Sequence, residues 1–248
     1  MTNTVEKNTC EDNSIVPPKY RILSGSWLKV IAVVTMLIDH IASVLLREDP
    51  ILLFSVLGRA VTLYEIMRTI GRIAFPLFAF LLVEGFIHTS NRKKYGTNLL
   101  AFAFISELPW NLEHTGKLFC SSQNVFFTLF FGFIGLCIIE NFKGKKRVGY
   151  LLIMLAVTLI FRADYGCVGF GFILMLYILR ENRLLQTVFG VCGLSTTWKS
   201  GLAFIPINHY NGKRGFIKGK FMKYAFYAFY PLHMFVLYLL KLLIGGGY

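Results

Sequence analysis

The chain has few acidic residues and few charges for its length. Its 248 residues include 13 Asp and Glu against 26 Lys and Arg, and charged residues make up 16% of the total. Soluble domains carry about 25%. The place of charge is taken by apolar residues, which reach 55% with a mean hydropathy of +0.59. This composition excludes an ordinary soluble globular protein and predicts an integral membrane protein.

Two further absences narrow the function. The five cysteines are scattered without a C-x-x-C pair, so neither a disulfide framework nor a cysteine metal site is expected; they are Cys10, Cys120, Cys137, Cys167 and Cys192. Residues 1–24 are polar, with no apolar stretch and no small-residue cleavage site. We predict a disordered or interfacial lead-in there and no removable signal peptide.

Long apolar runs define the expected fold class, which is an all-α, polytopic transmembrane helix bundle of eight to nine spans in one domain, 25–248. Segment 51–71 is too charged to span and too apolar for a free loop, so we expect an amphipathic or re-entrant segment. The predicted spans are 28–46, 72–88, 97–112, 124–140, 148–162, 166–180 and 224–243, with a broken region at 184–209.

Loop charges predict the orientation. The basic loops 91–96, 141–149 and 180–183 fall on one side with the N-terminus, and that side should be cytoplasmic. This distribution explains the net charge of +13 without a nucleic-acid partner. Loop 211–223 is also basic, and it reaches the same side only if 184–209 is a hairpin of two short helices, broken near residues 195–199. We favour this arrangement over a single crossing.

Four ionisable residues interrupt the apolar runs, and each costs at least about 2.5–3.5 kcal/mol at mid-membrane depth. A rise of about 1.5 Å per residue puts all four near the centre of a core about 30 Å thick. We therefore expect these residues to be functional, and their common depth permits a shared polar site. They are Asp39, Glu84, Glu107 and His233.

A general base is the role that these residue types suggest. His40 or His233 could take it, with Asp39 or Glu107 as the carboxylate that orients the ring. The alternative is a set of buried polar contacts that hold helices together.

Further polar side chains are predicted to line the same cavity or its margins. Tyr227, Tyr230 and His233 share a helix face beside a proline, which suits a cavity wall or, alternatively, an interfacial aromatic belt. Glu84 and His88 lie four apart, which resembles half a metal site, but without a further ligand we expect a local hydrogen bond and no metal.

Basic side chains offer places for an anion. Arg72 either reaches the interface or clamps an anionic group, and Arg162 with Asp164 forms a charged corner that is either a surface pair or part of the cavity. The basic loops, including Lys213 and Arg214, could hold a phosphate-bearing cofactor or lipid headgroups.

The chain resembles the TraX family over nearly its whole length. The resemblance is carried by LKVIAVVTMLIDHI (28–41), IGRIAFPLFAFLLVEGFIHTSNRKKY (70–95), LLAFAFISELPWNL (99–112), NVFFTLFFG (124–132), ADYGCVGFGFILMLY (163–177), YNGKRG (210–215) and KYAFYAFYPLHMFVLYLL (223–240). The family is named for a conjugation-plasmid protein associated with N-terminal acetylation of pilin. Membership implies a multi-span acyltransferase in a bacterial cytoplasmic membrane that uses acetyl-CoA and modifies an envelope acceptor, a pilin-like peptide or a surface glycan.

By motif, the resemblance assigns functional roles to Asp39, His40, Arg72, Glu84, Glu107, Tyr230 and His233. Two other classes stay open. A proton-coupled transporter or flippase would also need mid-membrane carboxylates and histidines, although the two halves of the chain show no internal repeat. A non-catalytic envelope assembly factor is the third.

Overall fold

A computed structural model describes residues 15–48, 51–56, 59–193 and 198–245. The expectation for the lead-in therefore falls largely on residues outside this part of the chain. Within the remainder, Pro18–Tyr20 forms a 3₁₀ turn before the first helix.

The described elements are mainly helices. Helices α1 to α5 are Gly25–Leu45, Leu63–Gly71, Ala74–His88, Arg92–Thr115 and Val125–Asn141, and strands β1 and β2 are Leu52–Val56 and Arg59–Thr62. Helices α6 to α10 are Gly144–Phe161, Gly166–Ile178, Arg183–Gly193, Phe204–Asn208 and Lys220–Leu243, with a 3₁₀ segment at Trp198–Ala203.

Three of the described helical stretches are long and apolar enough to cross a membrane. They are α1, the run of α2 into α3 over Leu63–His88, and α10, while α5 and α7 are apolar but shorter. The chain is thus a mostly helical, membrane-type protein. The expected eight to nine spans are not confirmed, because the remaining helices are shorter or begin with several charges, as α6 does with Lys145, Lys146 and Arg147.

The all-α prediction was wrong in segment 51–71. Its first half forms an antiparallel hairpin, in which Leu52 pairs with Thr62 and Ser55 with Ala60. β-Branched and aromatic residues favour this pleated conformation. Thr62 then caps α2 by accepting a hydrogen bond from Glu65 N at 3.2 Å, as expected for a Thr three residues before a Glu. Only the second half is helical.

Helix α3 lies at the centre of the bundle against α1, α5 and α7. Its apolar side chains, among them Leu77, Phe80 and Phe86, are almost completely buried. Helices α5 and α7 approach closely at small residues, because a Cβ added to Gly132 would collide with Ile173. Such close backbone approach is a common basis of helix packing in membranes.

Segment 184–209 turns back on itself. Leu23 donates its N–H to His209 O and accepts from Asn211 N, both at 2.9 Å, so the segment finishes beside the start of α1. It also begins at that end, because Arg183 and Tyr210 both face Glu84. Loop 211–219 is therefore at the same end of the bundle as Ser24. The expected break point lies mostly in residues 194–197, outside the described residues.

Candidate active site

Two histidines from opposite ends of the sequence meet in the bundle. His40 Nδ1 lies 2.6 Å from His233 Nε2, and the two rings stack with centroids 4.9 Å apart. His233 is buried with 6% of its surface exposed, and His40 is half-buried. Helix α1 brings one imidazole and α10 the other, although 193 residues separate them.

The hydrogen-bond network assigns the proton positions of this pair. His233 Nδ1 lies 2.7 Å from Phe229 O, and a carbonyl can only accept, so this nitrogen carries the proton. In a neutral ring Nε2 then accepts, and His40 Nδ1 must donate to it. Neutral His40 is left with a lone pair on Nε2. That nitrogen can take a proton from a ligand.

Asp39 supports a different group from the one expected. Its carboxylate accepts from Arg68 Nη1 at 2.5 Å, and its other oxygen, Oδ1, is buried with no hydrogen-bond partner in the described part of the chain. Adjacent residues on a helix diverge by about 100°, so Asp39 faces α2 while His40 faces α10. The expected carboxylate–imidazole pair with Asp39 or Glu107 does not form, and the imidazoles support each other.

Glycine at position 71 makes the Asp39–Arg68 contact possible. A Cβ added to Gly71 would overlap the Asp39 carboxylate, so only glycine leaves room for it at the end of α2. Arg72 follows directly and lies within electrostatic range of Asp39.

A second layer of polar groups surrounds the pair. Glu113 is buried and touches His114 Nδ1, and the His114 ring stacks on Trp110 at 3.5 Å. His114 and Arg72 also face Asp164, in the loop between α6 and α7. Although Asp164 is accessible from outside, the surrounding helices remove much of its hydration and raise its pKa to about 6, against the opposing positive charge of Arg72.

Glu113 is within electrostatic range of His233 and His114 of His40, so both belong to the margins of the histidine pair. Asp164 and Arg72 lie next to them. Arg162 does not join them. Arg162 is exposed and has a left-handed backbone conformation with φ 49°, and its carbonyl oxygen accepts a hydrogen bond from Gln123 N at 3.1 Å. None of the ion pairs among the described residues joins Arg162 to Asp164.

Aromatic rings form a wall along α10 beside the pair. Tyr230 packs edge-on to both imidazoles, with centroids 6.1 Å from His40 and 5.7 Å from His233. Phe126 contacts Tyr230, and Tyr227 stacks on Phe102 at 5.0 Å. Tyr230 thus lies in the protein interior beside the histidines, and Tyr227 lies farther along α10 against Phe102 and Phe126.

Glu107 holds two helices together. Its Oε2 accepts from Asn124 Nδ2 at 2.6 Å, and the same amide group donates to Ala103 O at 2.8 Å. Asn124 is fully buried and its Oδ1 accepts from Phe126 N at 3.0 Å at the start of α5. The described contacts of Glu107 are those of a buried polar contact between α4 and α5.

Glu84 lies apart from the histidine pair. It faces Tyr210 and Arg183 at the end where α1 begins, and Arg183 also covers the Phe80 ring. His88 Nδ1 donates to Glu84 O at 2.9 Å, which is the expected local hydrogen bond. The prediction that all four ionisable residues lie at one depth is therefore wrong for Glu84, because α3 starts beside Asp39 inside the bundle and Glu84 lies near its other end. No group of three metal-binding side chains occurs among the described residues.

A basic cavity lies at the end of the bundle where α4 and α10 begin. Its volume is about 240 Å³, and its lining comprises Thr89, Ser90, Asn91, Lys94, Tyr95, Lys220, Lys223 and Tyr224. Arg214 lies within electrostatic range of Lys223 and Lys29. Arg72 is not in this group, so the three residues predicted for the cofactor, Lys213, Arg214 and Arg72, divide between the two regions.

Several residues of the site were not found from sequence. Arg68 was not predicted as a site residue, although its spacing of four from Arg72 puts both on one helix face. Glu113 and His114 were missed because the third span was ended at residue 112. The left-handed Gly116 that ends α4 after Thr115 was the available signal.

Comparison with known proteins supplies a family. A family model described as TraX protein matches residues 24–241. A protein described as probable fimbrial assembly protein FimC, serogroup H1, of Dichelobacter nodosus is 31% identical over 180 residues, which are 66% of this chain and 66% of that protein. The match thus spans just under two thirds of the relative's length. No solved structure matches the chain.

Proposed function

This chain belongs to the TraX family, and on that premise we propose that it is an integral-membrane acyltransferase. It moves an acetyl group from acetyl-CoA to an amine or hydroxyl group of a cell-envelope acceptor. A fimbrial subunit is the first acceptor to test, because the relative is named as a fimbrial assembly protein. Both the reaction and the acceptor are part of the proposal.

The hydrogen-bonded pair of His40 and His233 is the observation that carries this proposal. His40 Nε2 accepts the proton of the acceptor N–H or O–H while that atom attacks the thioester carbon and forms the new C–N or C–O bond. His233 supports the resulting imidazolium, because its Nδ1–H donates to Phe229 O and its Nε2 is left to accept from His40 Nδ1. The tetrahedral intermediate then breaks its C–S bond, and the imidazolium returns the proton to the CoA thiolate.

Charged groups lie near both imidazoles. Arg68 is within electrostatic range of His40 and favours its neutral form, which can accept a proton, while Glu113 is within electrostatic range of His233. Negative charge near an imidazole favours its protonated form. No cysteine or serine is assigned a covalent role, so the acetyl group passes directly from donor to acceptor.

The donor would enter from the end that carries the basic cavity. Lys223 and His233 are ten residues apart on α10, which corresponds to about 15 Å along the helix. Tyr227 and Tyr230 lie between them with Phe102 and Phe126 packed alongside. The phosphates would stay at the basic end while the thioester arm follows this aromatic wall toward the imidazoles.

Complementation of a deletion strain tests the function. Envelope proteins from cells that carry wild-type, His40→Ala, His233→Ala or His209→Ala protein are compared by intact mass spectrometry for one added acetyl group. Wild type and the His209→Ala control, whose Nδ1 donates to Ile205 O away from the pair, should acetylate. Loss of the general base should reduce the rate by about 10²–10⁴. Full acetylation by both histidine variants would refute the proposed mechanism. Absence of acetylation with the wild-type protein would refute the proposed acyltransferase activity.

A non-catalytic assembly role is the second candidate, and the printed name of the relative favours it. The same strains separate the two functions. If His40→Ala restores surface fimbriae as fully as wild type, while no acetyl group is found in any strain, the protein acts as an assembly factor. If acetylation and fimbriae are lost together, the catalytic proposal stands.

A further inference from the structure

The basic cavity contains positive charge that nothing in the described structure neutralises. Lys94, Lys220 and Lys223 line it, and within the described residues no carboxylate forms an ion pair with any of the three. Arg214 adds a fourth positive charge within electrostatic range of Lys223. Like charges gathered in a concave site repel each other and attract a counter-ion of several negative charges.

Two helix N-termini add to this field. Helices α4 and α10 each have 24 residues, and both begin at the cavity. The N-terminus of a helix carries roughly half a positive charge. Asn91 caps α4 through Lys94 N at 2.8 Å, whereas the first turn of α10 after Gly219 has no side-chain cap. Its backbone N–H groups are therefore available to an anion.

The donors match a phosphate group. Ser90, Thr89 and Asn91 contribute hydroxyl and amide groups to the lining, and Tyr95 and Tyr224 close it with aromatic surface. A lipid phosphodiester carries one negative charge, while a phosphate monoester carries about 1.5 to 2 at pH 7. Three lysines and an uncapped helix start correspond better to the larger charge.

We propose that Lys94, Lys220 and Lys223 form a binding site for a phosphate monoester, and that in the donor this group is the 3′-phosphate of coenzyme A. The assignment to coenzyme A rests on the proposed acetyl transfer, while the phosphate chemistry does not. It also moves the expected phosphate contacts from Lys213 and Arg214 to the lining of the cavity. Anionic headgroups offer related chemistry, and the test separates the two sources.

The test compares CoA with dephospho-CoA, which lacks only the 3′-phosphate. Purified protein in nanodiscs of zwitterionic phosphatidylcholine should bind CoA about tenfold more tightly, as expected for a charge-assisted contact. The combined variant Lys94→Gln, Lys220→Gln and Lys223→Gln should lose this preference and much of the salt dependence of binding. A matched control, Lys145→Gln with Lys146→Gln, removes exposed charge from the start of α6 and should behave as wild type.

Four results would overturn all or part of the assignment. If wild type binds the two cofactors with equal affinity, the protein has no 3′-phosphate site. If the lysine variant keeps the preference for CoA, the 3′-phosphate binds elsewhere. Neither result contradicts CoA binding or the proposed function. A lysine variant that keeps the CoA preference but loses enrichment of phosphatidylglycerol around the protein in mixed-lipid nanodiscs would identify a headgroup site. A fourth result is that wild type binds no CoA, and that inorganic phosphate raises the Tm of wild type but not the Tm of the lysine variant. The phosphate site then stands and the acetyl-CoA proposal fails.

Discussion

At the scale of single residues, Gly71 controls where the Asp39 carboxylate can lie. Replacing Gly71 by Ala should push Asp39 away from Arg68, since the new Cβ would occupy the carboxylate position. Overpacking of this kind costs about 1–3 kcal/mol. Thermal unfolding in detergent and acetylation of the acceptor should both decrease. The control is Gly171→Ala on α7, where an added Cβ meets nothing within 4 Å; equal behaviour of the two variants would contradict the role of Gly71.

Asp164 should make the stability of the protein depend on pH. Its pKa of about 6 lies above the value of about 3.9 in an unfolded chain. The folded protein therefore holds a proton between these values, and the stabilisation present below about pH 4 is lost as pH rises through 6. Asp164→Asn should match the Tm of wild type near pH 4 and exceed it above pH 6.

The difference in Tm should be roughly a degree or two, because the Asp164 side chain is partly hydrated. Exposed Glu181, whose side chain keeps 84% of its surface accessible, provides the control as Glu181→Gln. Thermal unfolding between pH 4 and pH 8 gives the comparison. A difference between Asp164→Asn and wild type that stays constant over this range would contradict the prediction.

At the scale of elements, the packing of α8 on α9 keeps the 184–209 segment folded back. A Cβ on Gly190 would overlap the Phe204 ring, so helices α8 and α9 pack as closely as these two residues allow. Gly190→Ala should lower the Tm in detergent, while Gly193→Ala, which meets nothing within 4 Å, should not. Adding Phe204→Leu to Gly190→Ala should recover part of the loss by making room. No recovery would show that the contact does not determine the stability of the segment.

Sequence periodicity predicted helices where one apolar pattern extends over many residues, and it failed where local preferences change within a short stretch. Helix α10 contains the whole predicted span 224–243 and starts only four residues earlier. The hairpin of 51–71 was missed because its charges suggested an amphipathic helix, whereas its first ten residues favour strands. Side-chain pairing was harder still. Depth was counted with residue 72 at the membrane surface, but Gly71 lies beside Asp39 inside the bundle. Glu84 therefore lies near the far end of α3, beside Tyr210, and not at the depth of His233.

At the scale of the whole molecule, the two ends of the bundle differ in chemistry. One end carries the basic cavity and the N-terminal ends of α1, α4 and α10. The opposite end carries the β-hairpin, the loop that contains Cys120, and a cavity of about 210 Å³ lined by Arg47, Glu48, Glu113, His114, Lys241 and nearby residues of α1. The positive-inside rule predicts that the basic end faces the cytoplasm. A donor and an envelope acceptor would then approach the histidine pair from opposite ends.

Cysteine labelling in intact cells tests this orientation. Loop 211–219 should be cytoplasmic, so a cysteine in place of exposed Lys218 should resist an impermeant thiol reagent applied from outside; Lys218 is preferable to Gly219, whose φ of 89° strains any other residue. Native Cys120 is the positive control at the opposite end. Its hydrogen bond with Ser122 lowers the pKa of the thiol and favours the reactive thiolate.

Each cysteine is placed alone in a background without the others, and inside-out vesicles give the complementary measurement. Cys120 should react in intact cells and Lys218→Cys only in the vesicles. The reverse pattern would invert the molecule and put the basic cavity outside, where no acetyl-CoA is available. Reaction of both cysteines from outside would put loop 211–219 on the same side of the membrane as Cys120. That result requires segment 184–209 to cross the membrane once, and the contact of Leu23 with His209 to be broken.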